Sequence, residues 1–283
     1  MAPIRMNALF FASAFVLLSC QSTPERPAPG QPPVTDPTPP VTQPPGNPTW
    51  SFDSSGHAQL DAWRADFAPR AYAAGHSKDV IHSVLDGIEP MRQFLSVSSA
   101  PVDQAEFSKP IWDYVDDTVS ASRLSTGRQK LANDTALFDA LERTYGVQKA
   151  YLAAIWGMET SYGAVIGNFD APSTLASMAA EGRRQSFAER ELMALMTILT
   201  AGDAYRHELI AGWAGAMGQT QFMPTTYVAY AVDWTGDGTK DVWRARADAL
   251  ASAANYLQAS GWRPGEPSLV EVSLPTPFNY SYA

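Results

Sequence analysis

The chain has 283 residues, with Lys+Arg 20 against Asp+Glu 29, a formal net charge of −9 and a single cysteine. That acidic balance, without any clustered Lys/Arg tract, argues against a nucleic-acid partner and against electrostatic adhesion to anionic lipid. A lone cysteine rules out an internal disulfide, so oxidative folding is not needed.

Residues 1–19 carry Arg5 and then an apolar run from Leu9 to Leu18. About ten apolar residues are too few to cross a bilayer and suit the core of a signal peptide. Leu17-Leu18-Ser19-Cys20 resembles a lipobox, in which the cysteine is acylated and becomes the new N-terminus. The alternative is an incidental cysteine in an ordinary or uncleaved secretory signal. Acylated Cys20 would tether the chain to a membrane, since more than one acyl chain anchors stably. Gln21 rather than Asp follows it, which by likeness to Gram-negative lipoproteins favours the outer membrane. Residues 20–49 hold about half of the 22 prolines and read as an extended linker unable to bury a core. Residues 50–283 remain for one ordinary domain or two small ones.

Most of that remainder reads as helix. Leu60, Trp63, Phe67 and Tyr72 recur at helical spacing, and Ser77 is placed to cap a second helix through Ile81, Val84 and Leu85. Pro90, Pro101 and Pro110 break residues 90–110 into loops. Helices are expected over Ile111–Leu124, along the stripe Leu131, Leu137, Leu141 and Tyr145 up to Gly146, and over Gln148–Val165. Two more cover Ser186–Leu199 and Ala247–Ala259, with a Gly-rich stretch, Gly212–Tyr230, between them. Residues 269–274 alternate as a strand would. The fold class expected is mainly α (α+β), with a small β element near the C-terminus.

Three constellations carry chemistry. Glu159 is the only acidic residue between Glu142 and Asp170, late in the apolar, aromatic-flanked run Ala154–Gly163. Burial there penalises its charged form and raises its pKa, as a general acid at neutral pH requires. The alternative is a helix-surface glutamate or one hydrogen-bonded in the core. Gly212–Tyr227 combines small residues, which admit close backbone approach, with the amides of Gln219 and Gln221, which suit sugar hydroxyls and acetamido groups. It also reads as a tight helix–loop packing motif. Asp233, Thr235, Asp237 and Thr239 stand at alternate positions with Gly238 sixth, like the first half of an EF-hand loop. Arg244 occupies the twelfth position, and Asp248 could close a longer loop around Ca²⁺ or Na⁺. An Asp/Gly turn without metal is the alternative.

Ala154–Gly163, Ala214–Tyr230 and Asp248–Trp262 together resemble the membrane-bound lytic murein transglycosylase B family. The resemblance implies a lysozyme-like helical fold. It also implies an enzyme that cuts the MurNAc–GlcNAc β-1,4 bond of peptidoglycan and leaves a 1,6-anhydroMurNAc end. Glu159 would be the single acid and base, with the substrate's own acetamido group in place of a second carboxylate. Gln221 matches a saccharide-contacting glutamine, and Tyr256 and Tyr114 match cleft tyrosines. Gly212 stands where members often carry a serine, and the loop from Asp233 to Asp248 is one residue longer than in the best-known member. Members continue past residues 269–274, so a catalytic domain over 50–283 is expected to be truncated at its C-terminus.

The expected protein is a periplasmic monomer, anchored through Cys20 to the inner leaflet of the outer membrane and acting on peptidoglycan strands. No cofactor is required for its chemistry. Its rivals are a muramidase hydrolase on the same fold, a non-catalytic peptidoglycan-binding lipoprotein and a Ca²⁺-regulated interaction protein.

Overall fold

The computed structural model describes residues 48–95 and 111–266, together with residues 273 and 277. The signal segment, Cys20, nearly all of the linker and, but for residue 273, the expected strand at 269–274 lie outside the described residues. Among the described residues the helices are α1 (Ala58–Ala73), α2 (Lys78–Leu85), α3 (Arg92–Leu95), α4 (Ile111–Thr118), α5 (Ala121–Asn133) and α6 (Thr135–Tyr145). They continue as α7 (Lys149–Thr160), α8 (Ala171–Glu181), α9 (Gln185–Ala201), α10 (Pro224–Tyr230) and α11 (Arg246–Ala259). Strands β1 (Phe169–Asp170) and β2 (Ile210–Ala211) pair antiparallel, Phe169 opposite Ala211. The chain is thus mainly helical, and its described β element falls mid-chain.

Local chemistry sets the boundaries. Ser77 accepts a hydrogen bond from the Val80 amide and starts α2 as expected. The expected helix over 111–124 breaks at Ser120, whose hydroxyl accepts from the Arg123 amide and begins a new helix. The stripe from Leu131 to Tyr145 likewise divides, because Asp134 leaves the helical region (φ −115, ψ 27). Gly146 then closes α6 in the left-handed conformation (φ 70).

Helix α8 was not legible as a helix. Asp170 caps it by accepting from the Ser173 amide, Pro172 sits in its first turn, and every residue from Ala171 to Ala180 is buried. It packs against α1, α2, α3 and α9, while α7 packs against α5, α6 and α11. Helix α10 touches both α9 and α11 and so bridges the two groups. Glu191 of α9 fastens it by accepting from the Thr225 amide and hydroxyl (2.8 and 2.9 Å). On the other side Glu189 accepts from the Trp63 indole and from both terminal nitrogens of Arg70, joining α1 to α9. One hydrophobic core runs through both groups, with Phe67, Phe138 and Leu195 fully buried and Trp156 nearly so. Each such side chain contributes roughly 1.5–3 kcal/mol.

Candidate active site

Glu159 lies in the last turn of α7, because the helix stops at Thr160 and not at the expected Val165. Ser161, Tyr162 and Gly163 follow with φ of 51, 63 and 81. Left-handed conformations at non-glycine residues cost on the order of 1 kcal/mol each and persist only where packing imposes them. Here the packing is visible. The Tyr162 ring stands edge-on to Trp156 at 5.6 Å, and its hydroxyl donates to the Arg123 carbonyl at 2.8 Å. A Cβ on Gly157 would lie 2.6 Å from the Tyr162 ring, and one on Gly127 2.5 Å from its hydroxyl, so only glycine admits the ring. Among the described residues the non-glycine positive-φ positions are Ser161, Tyr162 and Gln221, all in the motifs around Glu159.

The Glu159 side chain has no hydrogen-bond or ion-pair partner among the described residues. Burial raises its pKa from 4.5 to about 7. Its helix is pinned to the Gly-rich segment at Gln219. The Trp156 indole donates to Gln219 Oε1 (3.1 Å), the Thr160 hydroxyl donates to the Gln219 carbonyl (2.6 Å), and Gln219 Nε2 donates to the Trp243 carbonyl (3.2 Å). Gln219, expected to contact saccharide, is turned inward and joins the two segments. Its side chain is 7 % exposed with both ends engaged, so it acts as a strut.

Gln221 behaves differently. It is partly exposed at φ 51, and its Nε2 donates to the carbonyls of Gly218 (2.9 Å) and Ile166 (3.3 Å). Those bonds leave Oε1 without a donor among the described residues. A Cβ on Gly212 would sit 2.9 Å from that oxygen, so glycine keeps the space beside it open. Tyr256 is half-buried in α11, edge-on to Phe222 at 6.0 Å and Tyr230 at 5.1 Å, which ties it to the same segment. Tyr114 is half-buried on α4, and among the described residues no hydrogen bond or ring contact joins it to the others.

The Asp233–Asp248 loop is held by backbone amides. Asp233 accepts from the amides of Gly236 (2.7 Å), Asp237 (3.3 Å) and Gly238 (2.8 Å) and from the Thr235 hydroxyl (3.2 Å). Asp237 accepts from the Thr239 amide and hydroxyl. Asp248 is fully buried and spends one oxygen on the amides of Trp234 and Thr235 and the other on that of Asp241. Arg244 pairs with Asp241 and Glu208. Among the described residues no three His, Cys, Asp or Glu side chains gather as a metal-holding group. Asp233, Asp237 and Asp248, the acids of the donor set expected with Thr235 and Thr239, are thus held apart by the loop's own amides and hydroxyls.

Comparison with known proteins places this geometry. Residues 59–283 match the family model described as Transglycosylase SLT domain. The membrane-bound lytic murein transglycosylase B of Escherichia coli (strain K12) is 35 % identical over 154 residues, which is 51 % of this chain and 42 % of that protein. The crystal structure of SltB3 from Pseudomonas aeruginosa in complex with NAG-NAM-pentapeptide superposes with a TM-score of 0.69 at 39 % identity. The match covers 78 % of this chain and 59 % of that one. The Escherichia coli lytic transglycosylase Slt35 in complex with calcium gives 0.62 at 25 % identity, covering 75 % and 65 %. The chain thus spans less than two thirds of the length of these relatives. With the match running from α1 onward and the fold shared, the chain belongs to the Transglycosylase SLT domain family.

Proposed function

We propose that the chain is a lytic transglycosylase that cleaves the MurNAc–GlcNAc β-1,4 bond of peptidoglycan. One observation carries the reading: Glu159 is an unpartnered carboxyl held near neutral pKa at the end of an apolar helix, in a chain of this family. At pH 7 a large fraction is protonated, so it can donate a proton to the glycosidic oxygen as the bond to the anomeric carbon breaks. The neighbouring acetamido oxygen of the substrate then holds the anomeric carbon. Glu159, now a carboxylate, takes the proton of the 6-hydroxyl as that oxygen bonds to the anomeric carbon, and the anhydro ring closes. No water is consumed and Glu159 ends protonated, so a second carboxylate is unnecessary, unlike in the usual two-acid glycosidase.

In this reading Gln221, with its free Oε1, hydrogen-bonds an acetamido or hydroxyl group, and Tyr256 and Tyr114 line the glycan path. We also place the protein in the periplasm as a monomer, acylated at Cys20 and held by residues 20–49 at the inner leaflet of the outer membrane. Supporting this, the Escherichia coli relative is named membrane-bound. Intact-mass analysis of the mature chain tests the anchor: acyl mass on an N-terminus at Cys20 is expected, and an unmodified thiol there contradicts it. The activity is tested by digesting purified sacculi with wild type and Glu159→Gln. Release of fragments by the wild type alone is expected, and equal release or none by both contradicts the assignment.

A further inference from the structure

Helix α10 begins without a cap of its own. Met223, just before its first residue, has no side-chain oxygen, and Pro224 has no amide hydrogen to donate. The first amide that needs an acceptor is therefore that of Thr225. Glu191 reaches it from α9, accepting from this amide (2.8 Å) and from the Thr225 hydroxyl (2.9 Å). A serine or aspartate at position 223 could supply such a cap locally, worth typically about 1 kcal/mol, without burying a charge. Instead the acceptor is a carboxylate that is only 3 % exposed. Burial pushes its pKa up, against the Thr225 donors and the charges of Arg184 and Arg190, which favour the ionised form. Taking a carboxylate out of water is unfavourable, so this cap sacrifices stability that a local one would keep. A local rule broken in this way points to a functional constraint, here the register of α10 against α9.

That register fixes the loop immediately before α10. Met217 and Phe222 exchange two backbone hydrogen bonds (2.8 and 2.9 Å), closing a loop whose entrance is bridged to Ala211 of β2. Gln221 is the last residue inside the loop, at φ 51, a conformation that a non-glycine residue keeps only where its surroundings impose it. From there the chain runs through Phe222, Met223 and Pro224, all buried, to the contact between Thr225 and Glu191. Released at Thr225, the start of α10 can shift and Gln221 can relax toward negative φ, which turns its free Oε1 away. We propose that Glu191 is a positioning residue, whose hold on Thr225 keeps the strained Gln221 backbone in place and so aims Oε1 at the substrate. This role rests on the transglycosylase reading and adds to it a residue that itself touches no substrate.

A double-mutant cycle on kcat/KM tests it, with the full chain acting on soluble, uncross-linked glycan strands. Glu191→Ala should lower kcat/KM about 10- to 100-fold, the scale of loss when a positioned group is misplaced. Glu191→Gln should recover most of that loss, because its carbonyl oxygen still accepts from the Thr225 amide and its nitrogen can donate to the hydroxyl. In a chain already carrying Gln221→Ala, adding Glu191→Ala should cost less than about threefold, since the group it aims is gone. A merely structural cap would lower the melting temperature and reduce kcat/KM equally, or not at all, in the two backgrounds. Should Glu191→Ala not fold, Thr225→Val, which removes only the hydroxyl, carries the same cycle with a fall of about three- to tenfold expected. Equal losses in both backgrounds, or no loss in the chain that keeps Gln221, overturn the role of Glu191 and leave the transglycosylase reading standing. Absence of cleavage by the unmodified chain overturns that reading, and the role with it.

Discussion

Glu159 shows how one side chain's environment sets both chemistry and stability. Its folded pKa is raised from 4.5 to about 7, so the folded state binds this proton more tightly than the unfolded chain does. Stability therefore falls as pH rises from about 4.5 through 7, and the deficit is fully present above that. Glu159→Gln should be more stable than wild type by about 1–3 kcal/mol at pH 8 and indistinguishable from it at pH 4. Urea titrations at the two pH values check this, and a variant destabilised at pH 8 would contradict it. Cleavage by the wild type should fall about tenfold per pH unit above 7 if protonation of the leaving oxygen limits the rate. A pH–rate profile flat to pH 9 would assign the acid elsewhere. The burial and raised pKa of Glu159 were legible because an isolated carboxylate in an apolar run is conspicuous. Gln219 and Gln221 were not separable in the same way: only the fold shows one engaged at both ends and the other with a free oxygen.

The elements near the site depend on close backbone approaches and on buried caps. Gly167 has φ +95, and a Cβ there would lie 2.2 Å from the Ala211 carbonyl oxygen of β2. Gly167→Ala should cost about 2–4 kcal/mol and loosen the β1–β2 pair. An unchanged denaturant midpoint would contradict the packing described. Asp248→Ala would strand the amides of Trp234, Thr235 and Asp241 and should also cost about 2–4 kcal/mol. Calcium should not restore that loss, because the missing interaction is an amide acceptor; recovery of the melting temperature on adding calcium would sink the clamp. Legibility differed between helices for a physical reason. α1 showed a stripe because one face meets solvent, whereas α8 is buried on all sides from Ala171 to Ala180 and built mostly of Ala, Ser and Thr, so it carried no period to read. The breaks at Ser120 and Asp134 were missed because the apolar spacing continues across them.

At the scale of the molecule, α10 bridges the two helix groups, and the segment just before it, Gly212 to Met223, carries Gln221 and pins α7 through Gln219. Gln219→Ala should lower stability by about 2 kcal/mol, having left the Trp156 indole and the Trp243 carbonyl without partners. Thermal unfolding checks this, and no shift in midpoint would argue against the strut. Whether bond cleavage excludes water is decided by product mass. Sacculi digested with the purified chain should yield muropeptides ending in 1,6-anhydroMurNAc, and Glu159→Gln should release none. Products heavier by one water, with a reducing end, would contradict ring closure by Glu159 and make the enzyme a hydrolase.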